Sequence, residues 1–247
     1  MPEINTILFL VIVVLGVLVQ TLTGFAMGLI IIVGVALFDI TDIAFAAAVV
    51  SFISLTNAGV ALRHGHRYVD WLFVRRILLG MIPAMALGII LLTYLSEHYY
   101  VLLKTLLGFV IILAGTSLMI ALAPFRARSS GLMFTLFGTL GGLLAGLYSA
   151  GGAPLAYFAY RQPLSINTIR FSLLAVFGVS TAIRATMIGV SGQLNVAILQ
   201  MSAVAIPMVI VVTLVASRYV QLVPDHLVRR SVFVILIVAG IFLIAAS

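Results

Sequence analysis

Apolar residues run through this chain in long, almost unbroken stretches, and polar residues are confined to the short gaps between them. Measured against the roughly 20 residues a helix needs to cross a bilayer, the pattern predicts eight hydrophobic blocks. They cover about 5–38, 43–62, 71–95, 99–122, 130–160, 168–190, 194–217 and 228–246. The gaps leave no room for a soluble module, so residues 1–247 read as one all-α, polytopic membrane domain. Blocks one and five stand apart, because each is longer than one span and each is interrupted by glycines near its centre. The first break is Thr23-Gly24-Phe25-Ala26-Met27-Gly28, and the second is Gly146-Leu147-Tyr148-Ser149-Ala150-Gly151-Gly152-Ala153-Pro154. Paired Gly/Pro interruptions in corresponding segments point to a transporter's midplane binding site. In lipid, broken backbone is tolerated only where protein or a water-filled cavity satisfies its freed polar groups.

Composition fixes the class. Hydrophobic residues make up 64% of the chain and charged residues 8%, against roughly a half and a quarter in globular domains. No secretory signal peptide is expected, since Met1 to Thr6 carries Glu3 and no basic residue and the following apolar run is too long. The chain has no cysteine, which excludes disulfides, thiolate metal sites and cysteine nucleophiles. Its net charge of +7 fits the basic cytoplasmic loops of membrane proteins, and no basic-aromatic patch suggests nucleic acid as a partner. In Arg63-His64-Gly65-His66-Arg67 two histidines stand without a carboxylate or third ligand, so the segment reads as a loop rather than a metal site. Metal and cofactor are therefore not expected. Intramembrane enzyme chemistry also lacks support, with no His-Glu-x-x-His, no Gly-x-Ser-x-Gly and no buried carboxylate pair.

The basic residues decide the topology. If all eight blocks cross, Arg63, Arg67, Arg75, Arg76, Arg126 and Arg128 face one side, and Lys104, Arg161, Arg170, Arg218, Arg229 and Arg230 face the other. Such an even split is unusual where loops are short. If block five instead enters and leaves on one face, every one of these except Lys104 gathers on a single side. An internal repeat extends the argument to block one. Gly24 pairs with Gly146, Pro83 with Pro207, and Lys104-Thr105 with Arg229-Arg230 at nearly constant offset. The expected fold is thus two inverted repeats, 1–125 and 126–247, each one broken hairpin followed by three transmembrane helices. Hairpin arms of about 15 residues span about 22 Å at 1.5 Å per residue, short of the roughly 30 Å core, although Asn5 to Leu22 is nearly long enough to cross. Both termini then lie outside, with Glu3, Asp39, Asp42 and Glu97.

Opposed hairpins bring their tips together near the bilayer centre, and a helix beginning at a tip aims free N–H groups and its positive dipole end there. Two such ends favour a small anion. Gly28, Gly151 and Gly152 let it approach the backbone, Pro154 suits a first helical turn, and Thr21, Thr23, Tyr148 and Ser149 supply hydroxyls. The competing reading is that these glycines serve close helix packing. Arg184 is the one basic residue well inside a block, and intramembrane charge marks function by default; it either faces the anion or snorkels and pairs structurally. Arg170 and Asn167 open the same span as positive-inside or vestibule residues. Asn57 and Gln20 read as interhelical hydrogen bonds, with a vestibule role for Asn57 as the alternative.

These residues carry a family resemblance. The chain resembles, over essentially its whole length, the TauE/SafE membrane permeases, often called sulfite exporters. Their first signature reads like Gly-Phe-Gly-Phe-Gly-Leu followed by Pro; Gly24, Phe25, Gly28 and Leu29 match, Ala26 and Met27 depart, and Val33 or Gly34 stands where the Pro would be. Their second reads like Gly-x-x-Gly-x-Gly-Gly-Pro-Pro with an Arg some way on; Gly146, Gly151, Gly152, Pro154 and Arg170 match, while Ser149 and Ala153 depart. The resemblance implies transport of sulfur oxyanions or organosulfonates across a bacterial inner membrane. The expectation is a secondary exporter working by alternating access. Its site is Thr23, Gly24, Phe25, Gly28, Gly146, Tyr148, Ser149, Gly151, Gly152, Pro154 and Arg184, and its energy comes from H+, Na+, the membrane potential or the substrate gradient. An uncoupled anion channel and a small-carboxylate uptake permease are the alternatives, and homo-oligomerisation is left open.

Overall fold

The structure, a computed structural model, describes residues 3–119, 124–219 and, in the last block, 234, 237, 238, 240, 241, 244 and 245. The chain is helical, as apolar segments must be where only internal hydrogen bonds can satisfy the backbone. The helices are α1 (Glu3–Thr23), α2 (Met27–Phe38), α3 (Ile43–Gly65), α4 (Trp71–His98), α5 (Tyr100–Met119), α6 (Gly131–Tyr148), α7 (Gly152–Tyr160), α8 (Ile166–Val190) and α9 (Val196–Tyr219). No strand occurs among the described residues. Six of these, α1, α3, α4, α6, α8 and α9, are long and apolar enough to cross a membrane. Polar residues in the gaps cap several of them: Asp70 accepts from the Phe73 N–H, Ser165 from Thr168 and Asn195 from Ile198.

Blocks one and five are each broken into a helical hairpin. The ends of the first lie together, where Asn5 Nδ2 donates to the Ile40 carbonyl at 3.4 Å. The ends of the second lie together too, where the Ser129 N–H donates to Gln162 Oε1 at 3.1 Å and the Phe125 N–H to the Arg161 carbonyl at 2.7 Å. The arms are unequal, in contrast to the expected pairs of about 15 residues. They run 21 and 12 residues in the first hairpin and 18 and 9 in the second. The reason is local. Left-handed backbone at Gly24 and Ala26, and at Ser149, ends the long arm late in each block, so Gly146 to Tyr148 belong to α6 and Gly152 to Pro154 to α7.

Small residues set the tightest seam. A Cβ on Gly138, Gly142 or Gly146 of α6 would lie 2.2–2.4 Å from the carbonyl oxygens of Ile77, Met81 and Met85 of α4. Four-residue spacing keeps one stripe of α6 on that backbone, the small-residue packing that lets membrane helices approach closely. Glycines at helix seams and glycines at the breaks thus have different jobs, and Gly146 belongs to the seam. The eighth block and the pairing of Lys104 with Arg229-Arg230 fall largely outside the described residues. Gly240, which is described, lies against Gly108 of α5.

Charges collect at two ends. Arg128 pairs with Asp70 at 2.7 Å, and the Arg161 guanidinium stacks over Phe125, which gathers the α3–α4, α5–α6 and α7–α8 loops. At the other end Lys104 pairs with Asp39 at 2.9 Å, and Gln193 donates to Thr93. The first hairpin's ends lie by the Asp39 pair and the second's by the Asp70 pair.

Candidate functional site

The two breaks touch. Gly28, in the first turn of α2, stands against the backbone of Ser149, and Gly152, in the first turn of α7, stands against Phe25 and Ala26. Both α2 and α7 begin inside the protein, and neither has a side-chain N-cap; Ala26 and Gly151 occupy the cap positions. An N-terminus lacking its Ser, Thr, Asp or Asn cap forgoes about 1 kcal/mol and leaves N–H groups and a positive dipole end without a fixed acceptor. Among the described residues, the non-glycine positions with positive φ are Ala26, Asp39 and Ser149, at 80°, 50° and 53°. Two of those three therefore sit at the breaks, where left-handed backbone costs about 1–2 kcal/mol for a residue with a Cβ.

Between the tips lies a cavity of about 20 Å³, walled by Gln20, Ser54, Ser149, Gly151, Gly152, Ser180, Thr181 and Arg184 among others. It has room for a water-sized group, given the ~10–15 Å³ that one water requires. Arg184, in α8, is 2% exposed. Its side chain points inward rather than snorkelling: Nη1 donates to the Ala47 carbonyl and to Ser51 Oγ, and Nη2 to the Gly146 carbonyl at 3.1 Å. Nε has no hydrogen-bond partner. The ion pairs among the described residues lie elsewhere, at Asp39 and Asp70, so this buried cation is balanced only by neutral oxygens. A charged group inside a membrane protein costs at least about 2.5–3.5 kcal/mol. Two uncapped helix starts, a guanidinium with no carboxylate beside it and the partnerless hydroxyl of Ser149 bring several donors together around the cavity. Chemically, that arrangement suits a small anion.

On the Asp70 side the cavity is closed by several layers. Tyr160 Oη donates to the Thr23 carbonyl at 2.9 Å, the Phe25 and Tyr160 rings meet edge to face, and Gly24 lies against the backbone of Arg170. Toward the other end a separate vestibule of about 410 Å³ opens between α3, α4, α8 and the start of α9, with Asp42, Thr93, Glu97 and Asn195 on its wall.

The residues expected at the site divide. Gly28, Ser149, Gly151, Gly152 and Arg184 line the cavity. Thr23, Gly24 and Phe25 form the tip beside it, and Thr23 spends its hydroxyl on the Val19 carbonyl and the turn to Phe25. Tyr148 turns away, donating to the Leu103 carbonyl at 3.0 Å. Gly146 offers its carbonyl to Arg184 and its α-carbon to the α4 seam. Pro154 lines an outer apolar groove with Val110 and Tyr157. Asn57 is fully buried in a bridge from α1 through α3 to α9, accepting from Gln20 and donating to Thr21 and Thr213. Arg170 is buried behind Gly24, with its guanidinium over Phe171, and Asn167 is exposed at the α8 start. Sequence reasoning missed Ser54, Ser180 and Thr181 on the cavity wall. The signal was available for two of them, since Ser180 and Thr181 precede Arg184 by one helical turn and so share its face.

A family model described as sulfite exporter TauE/SafE matches residues 8–243. A probable sulfite/organosulfonate exporter TauE of Cupriavidus necator is 35% identical over 225 residues, covering 91% of this chain and 88% of that protein. No solved structure matches the chain. With nearly its full length matched by both comparisons, the chain belongs to the TauE/SafE sulfite exporter family, whose members are membrane transporters rather than enzymes.

Proposed function

We propose that this protein exports a small sulfur-containing anion, sulfite or an organosulfonate, from the cytoplasm across a bacterial inner membrane, with the cavity between the two tips as its binding site. The observation that carries the reading is Arg184, buried beside two uncapped helix starts with no carboxylate paired to it. The relative from Cupriavidus necator, by its name a sulfite/organosulfonate exporter, supports the substrate class. Gly24 to Gly28 and Ser149 to Gly152 supply the tips, and Arg184 the counter-charge.

In this reading the halves 1–125 and 126–247 are inverted repeats. Joined hairpin ends at opposite charge clusters support it, as does contact between the tips. The Arg-rich end faces the cytoplasm and the N-terminus the periplasm. Transport proceeds by alternating access. A cavity for one water-sized group, walled off on the Asp70 side and separate from the vestibule, favours a carrier over an open pore. Counterflow in proteoliposomes tests the proposal. Unlabelled sulfite preloaded inside should accelerate uptake of labelled sulfite through a carrier. Sulfite and sulfonate flux equal to that of empty liposomes would overturn the substrate class, and flux indifferent to preloading would overturn the carrier.

A further inference from the structure

We propose that Arg184 is the gate between the tip cavity and the vestibule, and that an anion opens this gate by taking over the guanidinium's hydrogen bonds. The proposal rests on the cavity's being an anion site. Among the described residues, Arg184 is the one side chain that lines both spaces. The two spaces succeed each other along shared helices. On α4, Met85 faces the cavity and Ile89 the vestibule; on α8, Thr181 faces the cavity and Ile188 the vestibule. Four residues of α4 rise about 6 Å and seven of α8 about 10 Å, and on α8 Arg184 is the residue between them that lines both spaces. The opposite closure, at Tyr160, Phe25 and Arg170, uses several.

The guanidinium holds this partition by joining α8 to α3, at Ala47 and Ser51, and to α6, at Gly146. Every acceptor is neutral. The guanidinium's bonds to these oxygens are already charge-assisted on the donor side, and an oxyanion adds the attraction of a full opposite charge away from water and a bidentate fit, so an oxyanion in the cavity outbids a backbone carbonyl for the same N–H. Nε, which is buried and has no partner, is a donor the anion can engage without breaking any bond. Loading at Nε followed by transfer of the Nη donors releases α3 from α8 and opens the path to the vestibule. An empty site keeps the donors on Ala47, Ser51 and Gly146, which holds the gate shut against leak.

The chain's lack of cysteine makes accessibility the direct test. Purified protein carrying Ser180→Cys in the cavity, or Ser96→Cys on the vestibule wall, is treated with a charged methanethiosulfonate in the absence of substrate. The Ser96→Cys thiol should react fast whatever stands at position 184. The Ser180→Cys thiol should react slowly beside Arg184 and about tenfold faster or more with Arg184→Ala, the scale set by losing one hydrogen bond to a charged group. Should Arg184→Ala not fold, Arg184→Met keeps the bulk of the stem without charge or donors and should speed the reaction likewise. Equal rates at Ser180→Cys with and without the guanidinium would overturn the gate. Sulfite-induced thermal stabilisation of the cysteine-free protein, measured alongside, reports separately whether the anion site itself stands.

Discussion

Gly28 stands so close to Ser149 that a Cβ on Gly28 would fall 1.9 Å from the Ser149 carbonyl oxygen. Through this contact, residues 121 positions apart in the chain bring both hairpin tips to one cavity. The contact leaves no room for a side chain at Gly28, because each tip is the other's wall.

The first prediction follows directly. Gly28→Ala forces the tips apart, because backbone cannot yield as a side chain can, and overpacking of this kind costs about 1–3 kcal/mol. A lowered thermal midpoint and loss of sulfite flux are expected. Gly59→Ala is the control, since nothing lies within 4 Å of its added Cβ; it should leave flux intact. Equal behaviour of the two variants would show that the tip contact is not required.

Ser149 carries a cost that glycine would not. Its φ of 53° lies in the left-handed region, the residue lines the cavity, and its buried hydroxyl has no partner. Strain of this kind persists where it serves the site. Ser149→Gly should therefore raise the thermal midpoint, by relief of about 1 kcal/mol, and at the same time weaken sulfite binding. Stabilisation without loss of affinity would remove Ser149 from the site and leave it as a strained turn residue only.

Replacing Arg184 with Gln keeps donors and approximate shape but deletes the charge. The loss of one charge-assisted contact, about 1.5–3 kcal/mol, corresponds to a rise of roughly 10- to 150-fold in the sulfite dissociation constant. Calorimetry on purified protein checks this. An unchanged constant would assign Arg184 to structure alone.

Asp42 and Glu97 line the vestibule beyond Arg184. Two carboxylates there repel an anion approaching from that side and leave approach from the Arg-rich end unaffected. Asp42→Asn combined with Glu97→Gln should lower the half-saturation concentration measured from the vestibule side and leave the opposite side unchanged. The difference should shrink as salt is raised, because exposed charges are screened over about 8–10 Å at 0.1–0.15 M. A symmetric change in both half-saturation values would refute the sided effect.

Much of the architecture was legible in the linear pattern because a bilayer leaves few choices. Runs near 20 apolar residues must become helices, and among the described residues the helix bounds fall within a few residues of the first seven predicted blocks. The breaks were visible as glycine clusters, and the charge count grouped Arg126, Arg128 and Arg161, whose loops the Asp70–Arg128 pair and the Arg161–Phe125 stack hold together. Individual side chains were less legible. Tyr148 and Ser149 are neighbours with hydroxyls, yet Tyr148 bonds Leu103 outside the cavity and Ser149 faces into it. Which way each points depends on the left-handed turn at Ser149, and a sequence pattern does not state dihedral angles.

What the sequence by itself determined was therefore the environment and the periodicity: a multi-pass helical membrane protein, broken twice, with a single basic residue deep in a span. Hydrophobic transfer and backbone hydrogen bonding act on segments, and segments can be read one at a time. Only the tertiary structure decided that Gly28 meets Ser149, that Ser54, Ser180 and Thr181 complete the wall, and that Arg184 stands between two cavities with its donors on three separate backbone and hydroxyl oxygens. Those relationships depend on how close two helices approach and how each is rotated. Packing across distant parts of the chain fixes both, and no local pattern encodes them.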